Sequence, residues 1–335
     1  MPSGIKLDFA NIDHELHKRR PKSNLSTSRQ EKDEYKIISG YYNDFTTGTP
    51  LTIVIENKDI ISKDYSKGVL RPSHADYTSH VKYKGYEDFR GSGHFSGRIT
   101  TPLVILGAIS SQLLKLKGII VGSHIANIKD IKDKDFSDFN SFESIIKKLN
   151  SSDFPVLNEA IVESYEETIL KAKQNKDSVG GIIETMILGL SPGYGNPFFN
   201  SIESTLAQLL FSVPSVKGLE FGKGFSITKL YGSEANDEFY IDNSTIKTRT
   251  NNSGGIQGGI SNGMPITFKT AIKPTASIGK PQKTVNIETM EATTLSLSGR
   301  HDPAIVHRAI HVINAVTSYA ILEIICRNEG FSWIK

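Results

Sequence analysis

Apolar and polar positions alternate along this chain with two periods, and neither is sustained for long. Helical spacing marks residues 102–116, 139–149, 159–173 and 202–211, and a long amphipathic run over 303–327. Pro102 stands where a first helical turn accepts proline. Strand-like runs cover 35–42 and 49–55, with Thr47-Gly48 in the turn between them, then 180–190, 221–231 and 264–273. Residues 13–20 read as the charged end of a short helix stopped by Pro21. The polar stretch behind it is a loop crowded by Arg19, Arg20, Lys22 and Arg29. Residues 64–98 have little periodicity but many Gly, His, Arg and Tyr, the composition of a site-forming loop region. No regular series of strand-helix-strand units emerges, so the expected class is α+β rather than a doubly wound sheet. The informative motifs lie near both ends, which predicts one interwoven domain over 1–335.

Composition narrows the function classes. The chain has 335 residues, 38% hydrophobic and 22% charged, with a formal net charge of +3, too small to argue for nucleic acid or a membrane surface. A single cysteine, Cys326, rules out a disulfide within the chain and fits a reducing compartment. Residues 1–20 lack the apolar core of a signal peptide. The best apolar run, 102–116, is interrupted by Ser110, Ser111, Gln112 and Lys115, so a cytoplasmic protein without a membrane span is expected.

Four motifs carry chemistry. In Arg71-Pro72-Ser73-His74-Ala75-Asp76-Tyr77-Thr78, a histidine able to exchange a proton near neutral pH stands between an arginine suited to an anion and a carboxylate placed to orient it. The alternative is a surface turn. In Arg90-Gly91-Ser92-Gly93-His94-Phe95-Ser96-Gly97-Arg98, glycines let backbone amides approach an anion and two arginines flank the loop. Its glycine spacing departs from the dinucleotide fingerprint, and residues 81–89 are too charged for the strand that fingerprint requires. A phosphate or flavin loop is expected, against a plain flexible turn. The run from Gly254 to Gly263, with Gly258 at its middle, leads to a strand and lacks a closing Gly-Lys-Ser/Thr, so it is no P-loop. Behind it Lys273-Pro274-Thr275-Ala276-Ser277 sets a cation and hydroxyls on an extended segment. Both also read as a tight hairpin and an edge loop. Gly299-Arg300-His301-Asp302-Pro303 resembles a helix start, with Asp302 at the N-cap and proline behind it. A capping carboxylate also sits at a helix mouth, where ligands bind. The pairs His307/His311 and His14/His17 lack a third ligand, so no metal is expected.

Taken together and in this order, the motifs resemble chorismate synthase. The similarity also takes in Pro2-Ser3-Gly4-Ile5, Lys18-Arg19-Arg20-Pro21, Thr46-Thr47-Gly48-Thr49 and Ile55-Glu56-Asn57. The resemblance implies an α+β subunit of antiparallel sheets with helices packed between them, assembled as a homotetramer. It further implies a site for reduced FMN beside 5-enolpyruvylshikimate-3-phosphate and a 1,4-anti elimination of phosphate that gives chorismate. The flavin would lend electron density to the reaction and recover it. By matched position, His94, Phe95, Ser96, Gly258, Lys273, Pro274, Thr275, Ala276, Ser277 and Arg300 would contact FMN. His74 would donate a proton, Asp302 would handle the proton at the flavin ring, and Arg19 would meet an anionic ligand, substrate or NADP.

Two departures from the family pattern stand out. The family opens with a strand and a Gly-Glu-Ser-His-Gly loop whose histidine is the other proton carrier. This sequence opens at Met1-Pro2-Ser3-Gly4, so that strand and loop are expected to be lacking, with Met1 an internal methionine of a longer protein. Leu25 stands where many relatives carry arginine. The first departure admits a second reading, a non-catalytic flavin-binding or assembly subunit, against which stand the retained His74 and Asp302. A nucleic-acid-binding module is disfavoured by the mild charge.

Overall fold

The computed structural model describes residues 1–21, 25–26, 32–57, 67–88, 90–297 and 302–334. In chain order come helix Phe9–Arg19 (α1), short strands Tyr35–Ser39 (β1), Tyr41–Tyr42 (β2), Phe45–Thr46 (β3) and Thr52–Ile55 (β4), then helices Asp76–Lys82 (α2) and Thr101–Lys115 (α3). Strands Ile120–Ile128 (β5) and Ile131–Lys132 (β6) lead to helices Phe142–Ser151 (α4) and Val162–Gln174 (α5). Gly181–Leu188 (β7), Ile202–Leu210 (α6), Val216–Phe221 (β8) and Gly232–Ala235 (α7) follow. Two hairpins come next, Phe239–Asp242 (β9) with Thr245–Thr248 (β10) and Ile256–Gln257 (β11) with Ile260–Ser261 (β12). Ile266–Ile272 (β13), the hairpin of Gln282–Asn286 (β14) and Glu291–Leu295 (β15), and helix Val306–Glu329 (α8) complete the order.

A five-stranded sheet in the order β6-β5-β7-β13-β8 forms the centre, and every pairing in it is antiparallel. The α+β class expected from the sequence is what the chain adopts. Successive residues of a strand face opposite sides, and β5 shows what covers each. The Gly122 Cα lies so close to Ile146 of α4 that a methyl there would sit 3.1 Å from the Ile146 Cγ1. The next residue, Ser123, hydrogen-bonds Asn314 of α8 at 2.5 Å. Helices thus cover both faces, which is why the middle residues of β5 and β7 are buried without alternation. The larger core joins the sheet to α1, α3, α5, α6 and α8, and a smaller one under α4 holds Phe136, Ile146, Leu149 and Met186.

Three expectations need correction. Helix α8 begins at Val306, because residues 303–304 run extended beside Val179, whose N–H donates to the Pro303 carbonyl at 2.8 Å. It is buried on most sides rather than amphipathic, and it is long and apolar enough to cross a membrane, with 67% of its most apolar stretch inside the protein. The strand expected over 221–231 ends at its first residue, since Gly222 and Gly224 take positive φ (54° and 49°) and a 3-10 turn, Gly224–Lys229, follows. Strand β5 escaped the periodicity altogether, its apolar residues being broken by Gly122, Ser123, His124 and Asn127.

Candidate active site

The end of the sheet where β13 finishes gathers most of the chemistry. Ile272 pairs with Gly181, and Lys273 leaves the sheet with its N–H bonded to the Ser215 carbonyl at 2.9 Å. Residues 178–180 are wedged between two segments singled out by sequence. On one side the Ser178 hydroxyl donates to the Thr275 carbonyl at 2.8 Å; on the other Val179 bonds Pro303, next to Asp302. Gly180 admits no side chain, because a Cβ would meet Pro274 Cδ at 2.9 Å. Across this end, Lys273 Nζ reaches the Ser73 carbonyl at 2.7 Å and so draws in the His74 loop.

That loop is seated on the β14–β15 hairpin. The Leu70 N–H donates to the Val285 carbonyl (3.2 Å), the Ile287 N–H to the Gly68 carbonyl (2.9 Å), and the Thr284 hydroxyl to the Leu70 carbonyl (2.5 Å). Ser73 adopts the left-handed conformation at φ 59°, a turn that presents the next residue, His74. Its imidazole Nδ1 lies 2.8 Å from Asp76 Oδ1, while Arg71 holds the same carboxylate through Nη2 (2.6 Å), Nε (2.9 Å) and its own N–H (2.8 Å). Burial works to raise the Asp76 carboxyl, but the hydrogen bonds from His74 and Arg71 outweigh it and leave it well below the usual carboxylate range. Asp76 is therefore ionised at any pH the protein meets in a cell, and Arg71, expected to contact an anion, contacts this one.

Asp302 accepts from Arg308 Nη1 at 2.6 Å and caps no helix, since α8 starts four residues later without a side-chain cap. Arg308 Nε in turn donates to the Arg19 carbonyl at 3.2 Å. Arg19 is buried, 7% exposed, and its guanidinium donates to the Gly97 carbonyl (2.8 Å) and the Thr100 hydroxyl (2.9 Å). A two-arginine strut thus ties Asp302 to the end of the His94 loop. In that loop His94 and Phe95 are exposed, and Ser96 caps the following turn by accepting from the Arg98 N–H at 3.2 Å. Beside the strut lies His307, whose Nε2 is 2.6 Å from the Ser26 hydroxyl. Burial pushes its imidazole down to about 4, with Asp302 opposing and Arg308 adding to the shift.

The residues expected to contact FMN meet a direct test. The Thr275 hydroxyl is buried without a hydrogen-bond partner among the described residues. Two residues before it, burial and then the charge of Lys217 lower Lys273. A hydroxyl left bare next to a crowded ammonium suits an oxyanion, so the group fits here. Gly258 lies elsewhere. Gly258 and Gly259 turn the β11–β12 hairpin with positive φ (61° and 83°), and that hairpin rests on the start of α6, a Cβ on Gly259 meeting the Ser201 Cβ at 2.6 Å. The hairpin precedes Ile266, whereas Lys273 follows Ile272, so a strand of about 20 Å separates them. Arg300 lies outside the described residues. Sequence reasoning passed over Arg308; the signal was an Asp and an Arg six apart across a helix start, visible once the helix begins at Val306.

Comparisons with known proteins point one way. A family model described as chorismate synthase matches residues 1–326. A chorismate synthase of Methanococcus vannielii is 45% identical over 98% of this chain and 90% of its own. Those of Methanocaldococcus jannaschii (42%, 98% and 90%) and Thermococcus kodakarensis (39%, 99% and 92%) are similar to it as well. A solved structure described as the crystal structure of chorismate synthase superposes with a TM-score of 0.76 at 26% identity, covering 98% of this chain and 86% of that one.

Proposed function

This chain belongs to the chorismate synthase family, lyases of aromatic amino acid biosynthesis, and from that premise we propose that it eliminates phosphate from 5-enolpyruvylshikimate-3-phosphate to give chorismate, with reduced FMN, in the cytoplasm. The observation that carries the reading is the convergence of the His74 loop, residues 273–275 and Asp302 at one end of the sheet, joined by Lys273–Ser73 and by the contacts of residues 178–180. Lys273 and Thr275 would hold an anionic group of the flavin, with His94, Phe95, Ser96, Pro274, Ala276, Ser277 and Arg300 as further contacts. When bound, the reduced flavin supplies electron density to the substrate ring as phosphate leaves.

The chain's own residues do the rest. His74 gives a proton from an imidazole whose Nδ1 side is fixed, so that the ring cannot turn away. Asp302, aimed by Arg308, would handle the proton at the flavin ring. The cations at this end favour a substrate with two carboxylates and a phosphate. Arg19 serves this end from within, through Gly97 and Thr100, which supports a framing role ahead of direct contact with substrate or NADP. In a homotetramer, Gly258 would reach a flavin bound by a neighbouring copy, which its distance from Lys273 favours over its own. The test is anaerobic phosphate release from 5-enolpyruvylshikimate-3-phosphate with reduced FMN, together with flavin fluorescence quenching. Saturable quenching, tighter for the reduced form, with stoichiometric phosphate is expected; quenching without phosphate would favour a flavin-binding subunit that lacks catalysis.

A further inference from the structure

The Asp76 carboxylate serves two residues at once, and the sharing fixes the state of the histidine. Oδ2 takes the Arg71 N–H and Nε at 2.8 and 2.9 Å; Oδ1 takes Arg71 Nη2 at 2.6 Å and lies 2.8 Å from His74 Nδ1. An ionised carboxylate only accepts, so Nδ1 must carry a hydrogen to make that contact attractive. The rival partner of Nδ1 is Arg71 Nη2 at 3.1 Å, which as donor would need Nδ1 bare. Nη2 has two hydrogens and one is directed at Oδ1; a bare Nδ1 accepting the other would set its lone pair against the carboxylate oxygen at 2.8 Å, so the shorter contact decides for Nδ1–H. A neutral imidazole has one N–H, so the lone pair falls on Nε2, for which the described residues offer no hydrogen-bond partner. His74 and Asp76 keep side-chain exposures of 17% and 21%, enough to leave that nitrogen within reach of a ligand.

We propose that Asp76 is the positioning residue of His74, holding its Nδ1–H so that Nε2 is the atom that carries the transferred proton, with Arg71 fixing Asp76. The inference rests on the proton role of His74 given above. It also reassigns Arg71 from an anion contact of the ligand to a support one step behind the histidine. Replacing an orienting carboxylate by its amide puts an NH2 where an acceptor stood and favours the other tautomer, which costs histidine–carboxylate pairs up to about 10⁴-fold in turnover.

The experiment is nitrogen NMR of the full chain labelled at histidine, with His74 assigned by His74→Gln, alongside phosphate-release kinetics. The wild-type His74 should show the Nδ1–H tautomer when neutral. Asp76→Asn should shift it toward Nε2–H and lower kcat by about 10²–10⁴-fold with KM little changed. Arg71→Lys, which spares the carboxylate but loosens the grip on it, should keep the Nδ1–H tautomer and lose clearly less of kcat than Asp76→Asn. A wild-type His74 in the Nε2–H form overturns the proposal without any variant, so a variant that fails to fold does not shelter it. Equal losses for Asp76→Asn and Arg71→Lys with an unmoved tautomer would overturn it as well. Full turnover in His74→Gln, with the wild-type His74 in the Nδ1–H form, would instead remove the proton role while leaving the orientation standing.

Discussion

Among the described histidines that pair with a carboxylate, His124 and His74 are held differently. His124, in the middle of β5, has Asp133 3.3 Å from Nδ1 and Glu184 2.8 Å from Nε2, and it is completely buried with its ring edge-on to Phe136. Burial opposes a charge there, yet hydrogen bonds with Asp133 and Glu184 prevail and raise the imidazole above its ordinary value. The carboxylates are occupied too. Asp133 accepts the N–H groups of Leu157 (2.6 Å) and Asn158 (3.0 Å), and Glu184 that of Phe136 (2.9 Å). His74 has a carboxylate on one nitrogen, and for the other the described residues offer no hydrogen-bond partner. Gripped at both nitrogens, His124 is a cross-link between strands and loops; His74, gripped at one and partly exposed, is left able to exchange a proton.

The contrast can be broken most directly by removing each ring. His74→Gln should lower phosphate release by about 10²–10⁴-fold while leaving the urea midpoint almost in place. His124→Gln should do the reverse, costing about 3–5 kcal/mol of stability by stranding two buried carboxylates, with turnover per folded molecule retained. Urea titrations and kinetics on the same preparations check both.

A subtler test uses pH and a further buried histidine, His307. Its folded value of about 4 lies below the ordinary 6.5, so the unfolded chain takes the proton first as pH falls. The stability associated with neutral His307 is whole above pH 6.5 and is lost as pH falls through the folded value, about 3 kcal/mol in all. His124 runs the other way, its contribution present below the unfolded value and lost as pH rises through the raised folded one. Urea midpoints from pH 4 to 8 should therefore lose their acid limb in His307→Leu and their alkaline limb in His124→Gln. A smaller effect is expected at Thr275. Thr275→Val removes a buried hydroxyl that has no partner among the described residues and should stabilise the ligand-free protein by about 1 kcal/mol, while weakening flavin binding in the same quenching titration.

The sequence revealed the site's parts better than their assembly. Arg71, His74 and Asp76 lie within six residues, so local spacing sufficed to see them as a unit. The link from Lys273 to Ser73 spans two hundred residues of chain, and no local pattern records it. Asp302 was legible as a residue of interest but misplaced as a cap, because Asp-Pro is a helix start in most settings and here Val179 competes for the same backbone. Gly258 was found by composition, which counts glycines without saying which end of a strand they serve. Strand β5 and its histidine stayed hidden for a related reason. A strand buried on both faces by polar cross-links shows neither alternation nor an apolar run.

The helices behind the two sides of the candidate site, α3 and α8, cross each other closely. Thr100 stands at the first turn of α3 and Arg308 near the start of α8, and the two helices touch where Gly107 meets Ala315, so closely that a methyl on Gly107 would overlap the alanine. From there to each mouth runs six or seven residues of helix, about 10 Å at 1.5 Å per residue. The crossing is thus a pivot with equal arms. Any side chain that pried it open would splay the arms at their far ends, where Asp302 and the Gly97 turn must stay in register. The spacing of Thr100 and Arg308 thus depends on Gly107, the one position in α3 that has no side chain to offer.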